Sequence, residues 1–295
     1  MSLLELIEQF SLQLQAAGIS TGQGTFNTFD EAAWLALWKL GLPLDSDLEA
    51  LSSAEPYEAL SPEITQTLQT LIDQRIQSRK PSAYLTKEAW LGGLSFYVDE
   101  RVIIPRSHIA EILLNETLLP WMTNEPDLIL DLCTGNGSLA IICALLWPSS
   151  HVDGLDISFD ALQVAKINAE RHKLQDQIDW IMSDALQGAR GPYDLIVCNP
   201  PYVPQSSMDQ LPLEFKAEPA LALAGGQLGM DFISATLPKM HHFMKPNALL
   251  VLEIGHEIEA FSALYPQLNW IALSTQAFDD QVILINQKEL AAHFN

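Results

Sequence analysis

The strongest constraint on this chain is a set of seven short apolar runs in its last two thirds. They are 127–132 (DLILDL), 151–157 (HVDGLDI), 177–183 (QIDWIMS), 193–199 (YDLIVCN), 247–254 (NALLVLEI), 269–273 (NWIAL) and 280–286 (DQVILIN). Helix-like stretches separate most of them. Short apolar strands alternating with helices predict a mainly parallel sheet covered on both faces. Only a few residues join the last two runs, too few for a parallel crossover, so the final strand is expected to run antiparallel. That sets the pattern apart from a plain dinucleotide-binding sheet, which is parallel throughout.

Upstream, residues 1–82 read as a small helical domain. Leu3, Leu4, Ile7, Phe10 and Leu14 fall at helical spacing. A second pattern opens at Asp30, carries Trp34, Leu37 and Trp38, and stops at Gly41 and Pro43. A third, from Leu60 to Ile76, is preceded by Ser61–Pro62, a helix-start dipeptide. Residues 83–108 change character: LSFYVDERVII is β-branched and aromatic, and predicts a linking β-hairpin with Asp99–Glu100 as its turn. Residues 109–295 form the α/β domain.

Composition removes several function classes. Apolar residues make up 48% of the chain, enough for a real core. Met1–Phe10 carry two glutamates and no Lys or Arg, unlike the basic start of a secretory signal. No apolar run is long enough to span a bilayer. A soluble cytoplasmic protein with no membrane partner is expected. Cys133, Cys143 and Cys198 have no metal-ligand spacing and read as small core residues, and the histidines form no HExxH-type pattern, so no metal is expected. Net charge is −22, with 15 Lys and Arg scattered along the chain. Such a surface repels nucleic acid, so no direct nucleic-acid recognition is expected. The acidity either keeps the protein soluble or steers a basic protein partner toward it.

Seven strands ending in an antiparallel hairpin resemble the Rossmann-like S-adenosylmethionine-dependent methyltransferase fold. Ligands of open α/β sheets bind at the carboxyl ends of the strands. There DLCTGNGSLAI (131–141) runs from a strand through Gly135 and Gly137 into a helix. The glycines allow close approach of a ligand to the backbone. A GxG loop alone is a weak signal. The third glycine of the dinucleotide fingerprint is absent, and Asp156 ends the next strand, where a carboxylate can accept from both ribose hydroxyls. Asp156 also suits a helix N-terminus before Phe159, Leu162 and Ala165. Asp184 ends the third strand and could accept from an adenine amino group. Asp131 precedes the glycine loop and either touches the methionine end of the cofactor or caps the loop backbone.

Asn199–Pro200–Pro201–Tyr202 follows the fourth strand and is the most specific signal in the chain. By average residue frequencies it arises by chance on the order of once in a thousand chains of this length. An amide or exocyclic amino nitrogen is a poor nucleophile because its lone pair is delocalised. Asn199 can accept one N–H with its side-chain oxygen, and the Pro200 carbonyl can accept the other. Two prolines hold these acceptors in place beforehand, and Tyr202 can stack on the flat amide. Catalysis is thus expected from Asn199, Pro200 and Tyr202.

These residues resemble the N(5)-glutamine methyltransferase family, which modifies translation proteins. The resemblance covers nearly the whole chain: VIIPR at 102–106, DLCTGNG, Asp156, NPPYV, and AEPALALAGGQLGMD at 217–231. It implies S-adenosylmethionine lying along Asp131, Leu132, Cys133, Thr134, Gly135, Gly137, Asp156, Ile157, Asp184, Ala185 and Asn199. It further implies a glutamine amide held by Asn199 and Pro200, and a protein substrate flanked by Pro105, Arg106, Pro201 and Tyr202 and bound partly by the amino-terminal domain. One branch of the family modifies peptide chain release factors, the other a glutamine of large-subunit ribosomal protein three. Segments 22–37 and 83–107 look like the ribosomal branch, and Cys133 stands where the release-factor branch usually has Gly. His108 departs from the ribosomal branch, which usually has Pro there. A basic ribosomal protein suits the charge of −22. A DNA adenine-amino methyltransferase shares the NPPY logic but would have to flip a base and grip phosphates, which this charge opposes. A dehydrogenase or a non-catalytic nucleotide-binding module would leave the catalytic loop unexplained.

Overall fold

The computed structural model describes residues 1–294. The chain divides into two compact units. The first is Met1–Ala89 together with Leu211–Glu218, and the second is Trp90–Gln210 with the chain from Pro219 onward. The division thus lies inside the stretch expected to link two domains, and it gives a segment from far downstream to the helical unit.

The first unit is built on helices α1 (Leu3–Ala16), α2 (Thr28–Leu40), α3 (Leu48–Ser52), α4 (Pro62–Ser78) and α5 (Ser82–Thr86). Ser2 and Glu5 form a reciprocal capping box at the start of α1. Ser61 caps α4 and Pro62 occupies its first turn, while α2 stops at Gly41 in left-handed backbone. Leu3, Leu6, Ile7, Phe10 and Leu14 form the buried stripe of α1 and meet Ala32, Leu35 and Ala36 of α2 and Leu68 and Ile72 of α4. Burial of that stripe, more than helix propensity, makes these short helices stable.

The hairpin comprises β1 (Ala89–Leu91) and β2 (Leu94–Phe96). Its turn is Gly92–Gly93, not the expected Asp99–Glu100. One of the two-residue hairpin turns that match strand twist has positive φ at both positions, and Gly92 and Gly93 have φ of 58° and 77°. Asp99–Glu100 is a separate bend, where Asp99 accepts from the Arg101 backbone and guanidinium.

The second unit carries a seven-stranded sheet in the order β5-β4-β3-β6-β7-β9-β8. Its strands are β3 (Leu128–Leu132), β4 (His151–Asp156), β5 (Ile178–Met182), β6 (Tyr193–Cys198), β7 (Met244–Glu253), β8 (Ile271–Leu273) and β9 (Val282–Asn286). The five from β3 to β7 are parallel; β9 runs antiparallel to both β7 and β8. Alternate residues bury opposite faces. Ile129, Val152, Leu195 and Val251 lie in one core, and Leu130, Leu155, Ile196 and Leu250 in the other. Among the described residues no helix is long and apolar enough to cross a membrane. The fold is that of the Rossmann-like methyltransferases. The strand order reverses at β3, flanked by β4 and β6, and ligands of open α/β sheets bind beyond the strand ends at such a point.

Candidate active site

The site begins where β3 ends. Cys133, Gly135 and Gly137 all take left-handed backbone, with φ of 64°, 55° and 82°. The turn closes through the Thr134 N–H on the Leu155 carbonyl (2.9 Å) and the Gly137 N–H on the Thr134 carbonyl (2.8 Å). The two glycines answer different demands. A Cβ at Gly135 would meet nothing nearer than Ile103 Cγ2 at 3.8 Å, so the space beside that backbone is open. A Cβ at Gly137 would lie 2.6 Å from the Trp180 ring, so packing demands glycine there. Helix α7 (Ser138–Leu146) starts directly after it.

Asp131 is 1% exposed. Its Oδ2 accepts the Thr134 hydroxyl at 2.6 Å and the Ala140 N–H at 2.9 Å. Its Oδ1 is buried and has no hydrogen-bond partner. Burial pushes the carboxyl up to about 7, opposed by those two bonds and assisted by the charge of Asp156. Asp156 closes β4. It accepts the Gly135 N–H and the Ser158 N–H, each at 2.9 Å, and so ties the glycine loop to the start of helix α8 (Phe159–His172). Burial raises its carboxyl too, against the backbone bonds it accepts. Leu132 is buried, whereas Ile157 is 49% exposed beside Asp156. Asp184 is exposed and accepts from the Gln187 side chain at 3.0 Å, next to Ala185, whose φ is 47°.

β6 delivers the second loop. Leu132 and Cys198 are register partners in parallel β3 and β6, so the loops at Cys133 and Asn199 leave the sheet side by side. Both cysteines are free thiols, and the neighbouring Cys198 thiol, with burial, holds Cys133 well above the ordinary thiol range. Asn199 and Pro201 are half-buried and Pro200 is buried. Tyr202 turns inward. Its hydroxyl donates to Glu253 Oε1 at 2.9 Å. A Cβ at Gly225 or Gly255 would lie 2.7 or 2.5 Å from Tyr202, and one at Gly229 would collide with the Tyr202 carbonyl. Gly225 and Gly229 thus leave room for the Tyr202 backbone and Gly255 for its ring, while Gly226 makes room for the Asp231 carboxylate. Burial, followed by Glu253, raises its phenol well above the usual range.

Sequence reading did not single out Glu253, yet it joins three segments. It is 2% exposed at the end of β7. Besides Tyr202 it accepts the Ser107 hydroxyl at 2.5 Å and the His108 N–H at 3.0 Å, both through Oε2. Burial raises its carboxyl. The one available signal was an acid in an otherwise apolar run, LLVLEI. Pro105 is buried just before Ser107, and Arg106 donates to the Ile104 carbonyl at 3.1 Å. Asn168 was missed as well. Fully buried on α8, it donates to the carbonyls of Asn136 (2.9 Å) and Tyr97 (3.0 Å), bracing the glycine loop. Elsewhere, His151, Asp153 and Asp179 cluster, but the Arg190 guanidinium pairs with both carboxylates, which accounts for the cluster without a cation.

The arrangement suits S-adenosylmethionine on its own observations. A buried carboxylate oxygen is left free at Asp131, the backbone beside Gly135 is open, and a second carboxylate stands at the next strand end. The methyltransferase small domain family model matches residues 113–230. The chain is 45% identical over 294 residues to the ribosomal protein uL3 glutamine methyltransferase of Bordetella pertussis, covering 98% of this chain and 96% of that one. It is 40% identical over 300 residues to the protein of the same name in Burkholderia pseudomallei, covering 98% and 95%. Among solved structures, a 16S rRNA methyltransferase of T. Thermophilus, in complex with AdoMet and guanosine, aligns with TM-score 0.48 and 17% identity, over 68% of this chain and 49% of that one.

Proposed function

The chain belongs to the ribosomal protein uL3 glutamine methyltransferase family and is an S-adenosylmethionine-dependent glutamine methyltransferase; we propose that its acceptor is the side-chain amide nitrogen of a glutamine in uL3, held by Asn199 and the Pro200 carbonyl. The observation that carries this reading is the placement of Asn199–Pro200 beside the glycine loop, at the point where the strand order reverses.

S-adenosylmethionine supplies a methyl group on a positively charged sulfur, an electrophile reactive enough to need no metal. Asp156 would hold its ribose hydroxyls, the free oxygen of Asp131 its ammonium group, and Asp184 its adenine amino group. Leu132, Ile157 and Ala185 would line its flanks. The chain's own task is to make a poor nucleophile competent. Two acceptors on one NH₂ orient the nitrogen and favour the geometry in which its lone pair is released from the amide. The prolines make this preorganised rather than induced. The nitrogen loses one proton to solvent. Tyr202, fixed to Glu253, sets the exit of the loop, and Pro105 and Arg106 flank the protein substrate. A basic protein fits a chain of charge −22. The cytoplasm, where ribosomal proteins are made, is the compartment this requires, and free uL3 should react better than uL3 buried under ribosomal RNA.

The test offers the enzyme purified uL3 and a release factor, each with labelled cofactor, and maps any mass gain of one methylene by peptide fragmentation. A single modified glutamine in uL3 is expected. Label on the release factor alone would move the chain to the other branch and leave the chemistry standing.

A further inference from the structure

Glu214 is completely buried, although it belongs to the segment that follows the loop bearing Asn199. It sits in the short helix Leu213–Lys216, between Pro212 and Pro219, and packs within the helical unit. Its Oε1 lies 2.8 Å from Arg79 Nε and 3.6 Å from Arg75 Nη1. Arg75 is 1% exposed, and its Nε donates to Glu31 Oε1 at 2.7 Å. Glu31 is itself buried and accepts the hydroxyls of Ser82 (2.7 Å) and Thr25 (2.5 Å). The Gln23 amide donates to the Glu214 carbonyl at 3.2 Å and to the Glu218 carboxylate. Arg75 of α4, Arg79 at its end and Gln23 from the loop before α2 thus meet one short segment from far along the chain, and Glu31 of α2 holds Arg75 in place.

Such a cluster is a poor way to obtain stability. Desolvating four charged groups costs about as much as their pairing returns, and apolar residues of similar volume would hold the segment at least as firmly. What the ion pairs supply is a preferred placement of the segment, since both guanidiniums stand at ion-pair distance from Glu214 without completing a hydrogen bond to its carboxylate. That placement bears on catalysis through the connectivity. The loop leaves the sheet at Asn199 and is pinned at its base by the Val203 N–H on the Leu223 carbonyl and the Gln205 N–H on the Gly226 carbonyl, both at 2.9 Å. Between those pins the chain makes one excursion, and its middle is Leu211–Glu218.

We propose that Glu214 is a positioning residue for methyl transfer: clamped by Arg75 and Arg79, it anchors the far end of the catalytic loop in the helical unit and so fixes the backbone that holds Asn199 and Pro200. The proposal rests on the reading of those two residues as the amide acceptors.

The test is Glu214→Gln in the full-length enzyme, which keeps the volume and removes the charge. Amide hydrogen exchange of peptides covering 200–210 is measured in the enzyme alone. Exchange there should speed up while peptides of α1 keep their wild-type rates. With uL3 as substrate, kcat should fall about tenfold, the scale expected for a small misplacement of reacting groups, while calorimetric affinity for S-adenosylmethionine stays within about twofold. A stabilising role alone would lower the Tm and leave both loop exchange and kcat unchanged in the folded variant; that result overturns the proposal. Should Glu214→Gln fail to fold, Arg79→Lys at the half-open side of the cluster gives the same readouts. Because exchange needs no substrate, a wild-type enzyme inactive on uL3 whose loop is still loosened by Glu214→Gln would overturn the substrate assignment and support the anchor.

Discussion

Around the glycine loop, the contacts of the two strand-end carboxylates span few residues. Asp131 reaches Thr134 and Ala140, at separations of 3 and 9, and Asp156 reaches Ser158 and Gly135, at 2 and 21. Around the catalytic loop contacts span much of the chain. Tyr202 meets Glu253 across 51 residues, and Ser107 meets Glu253 across 146. The glycine-loop side needs only β3 to β5 and the helices between them, with Tyr97 bonded to Asn168 beside it, whereas the Asn199 side exists only once β7 has paired with β6 and the segment before α6 (Ile109–Leu114) has been laid against it. Damage to the first should therefore appear as lost cofactor affinity, and damage to the second as lost turnover or lost stability.

The sharpest way to test that contrast is Asn199→Ala. Turnover should fall by about two to three orders of magnitude, as on removal of a preorganised polar group, with calorimetric cofactor affinity nearly unchanged. Poor cofactor binding with normal turnover at saturation would place Asn199 on the wrong side of the comparison. Next in size, Asp156→Ala should weaken cofactor binding by about 1.5–3 kcal/mol, the range for a charged hydrogen-bond acceptor. Unchanged affinity in a folded variant would remove its assignment. Tyr202→Phe and Glu253→Gln should be coupled by on the order of 1 kcal/mol in a double-mutant cycle of denaturant stability, whereas Asp156→Ala and Glu253→Gln should be additive. Additivity in the first pair would mean that the hydroxyl contact does not hold the loop.

The smallest effect is a pH dependence. The Asp131 carboxyl titrates near 7 in the folded protein, above its unfolded value of about 3.9. The folded state therefore binds a proton that the unfolded state has released. Stability from this group is fully present below the unfolded value and is lost as pH rises through 7. Asp131→Asn offers an NH₂ where Oδ1 lacks a partner, so it should remove that component. Without cofactor the variant should gain stability over wild type at pH 8 and nothing near pH 4. Cofactor binding should weaken in the variant, and in wild type as pH falls below 7. Parallel melting curves for the two proteins from pH 5 to 8 would show that Asp131 does not titrate in this window.

All seven strands of the large sheet were legible as apolar runs, and so was the antiparallel last strand, because strand character and connection length are local properties. The hairpin turn was misplaced because a β-branched run drew attention past Gly92–Gly93, the dipeptide able to adopt two positive φ values. The places of Asp131, Asp156 and Asn199 at strand ends were legible for the same reason as the strands. Glu253 and Asn168 were not, since a buried acid or amide is told from a surface one only by what covers it.

What the amino-acid order determined alone is thus the periodicity of strands and helices, the glycine turn after β3 and the rigid Asn-Pro-Pro corner. Each follows from backbone sterics acting over a few residues. Tertiary structure decided which way Tyr202 turns, why Gly225, Gly229 and Gly255 must lack a side chain, and why the Asp131 carboxyl titrates near 7. It also decided that Leu211–Glu218 packs with helices from the start of the chain, where Gln23 meets Glu214 across 191 residues. Those features depend on burial, and burial belongs to the assembled fold: no window of sequence contains the atoms that exclude the water.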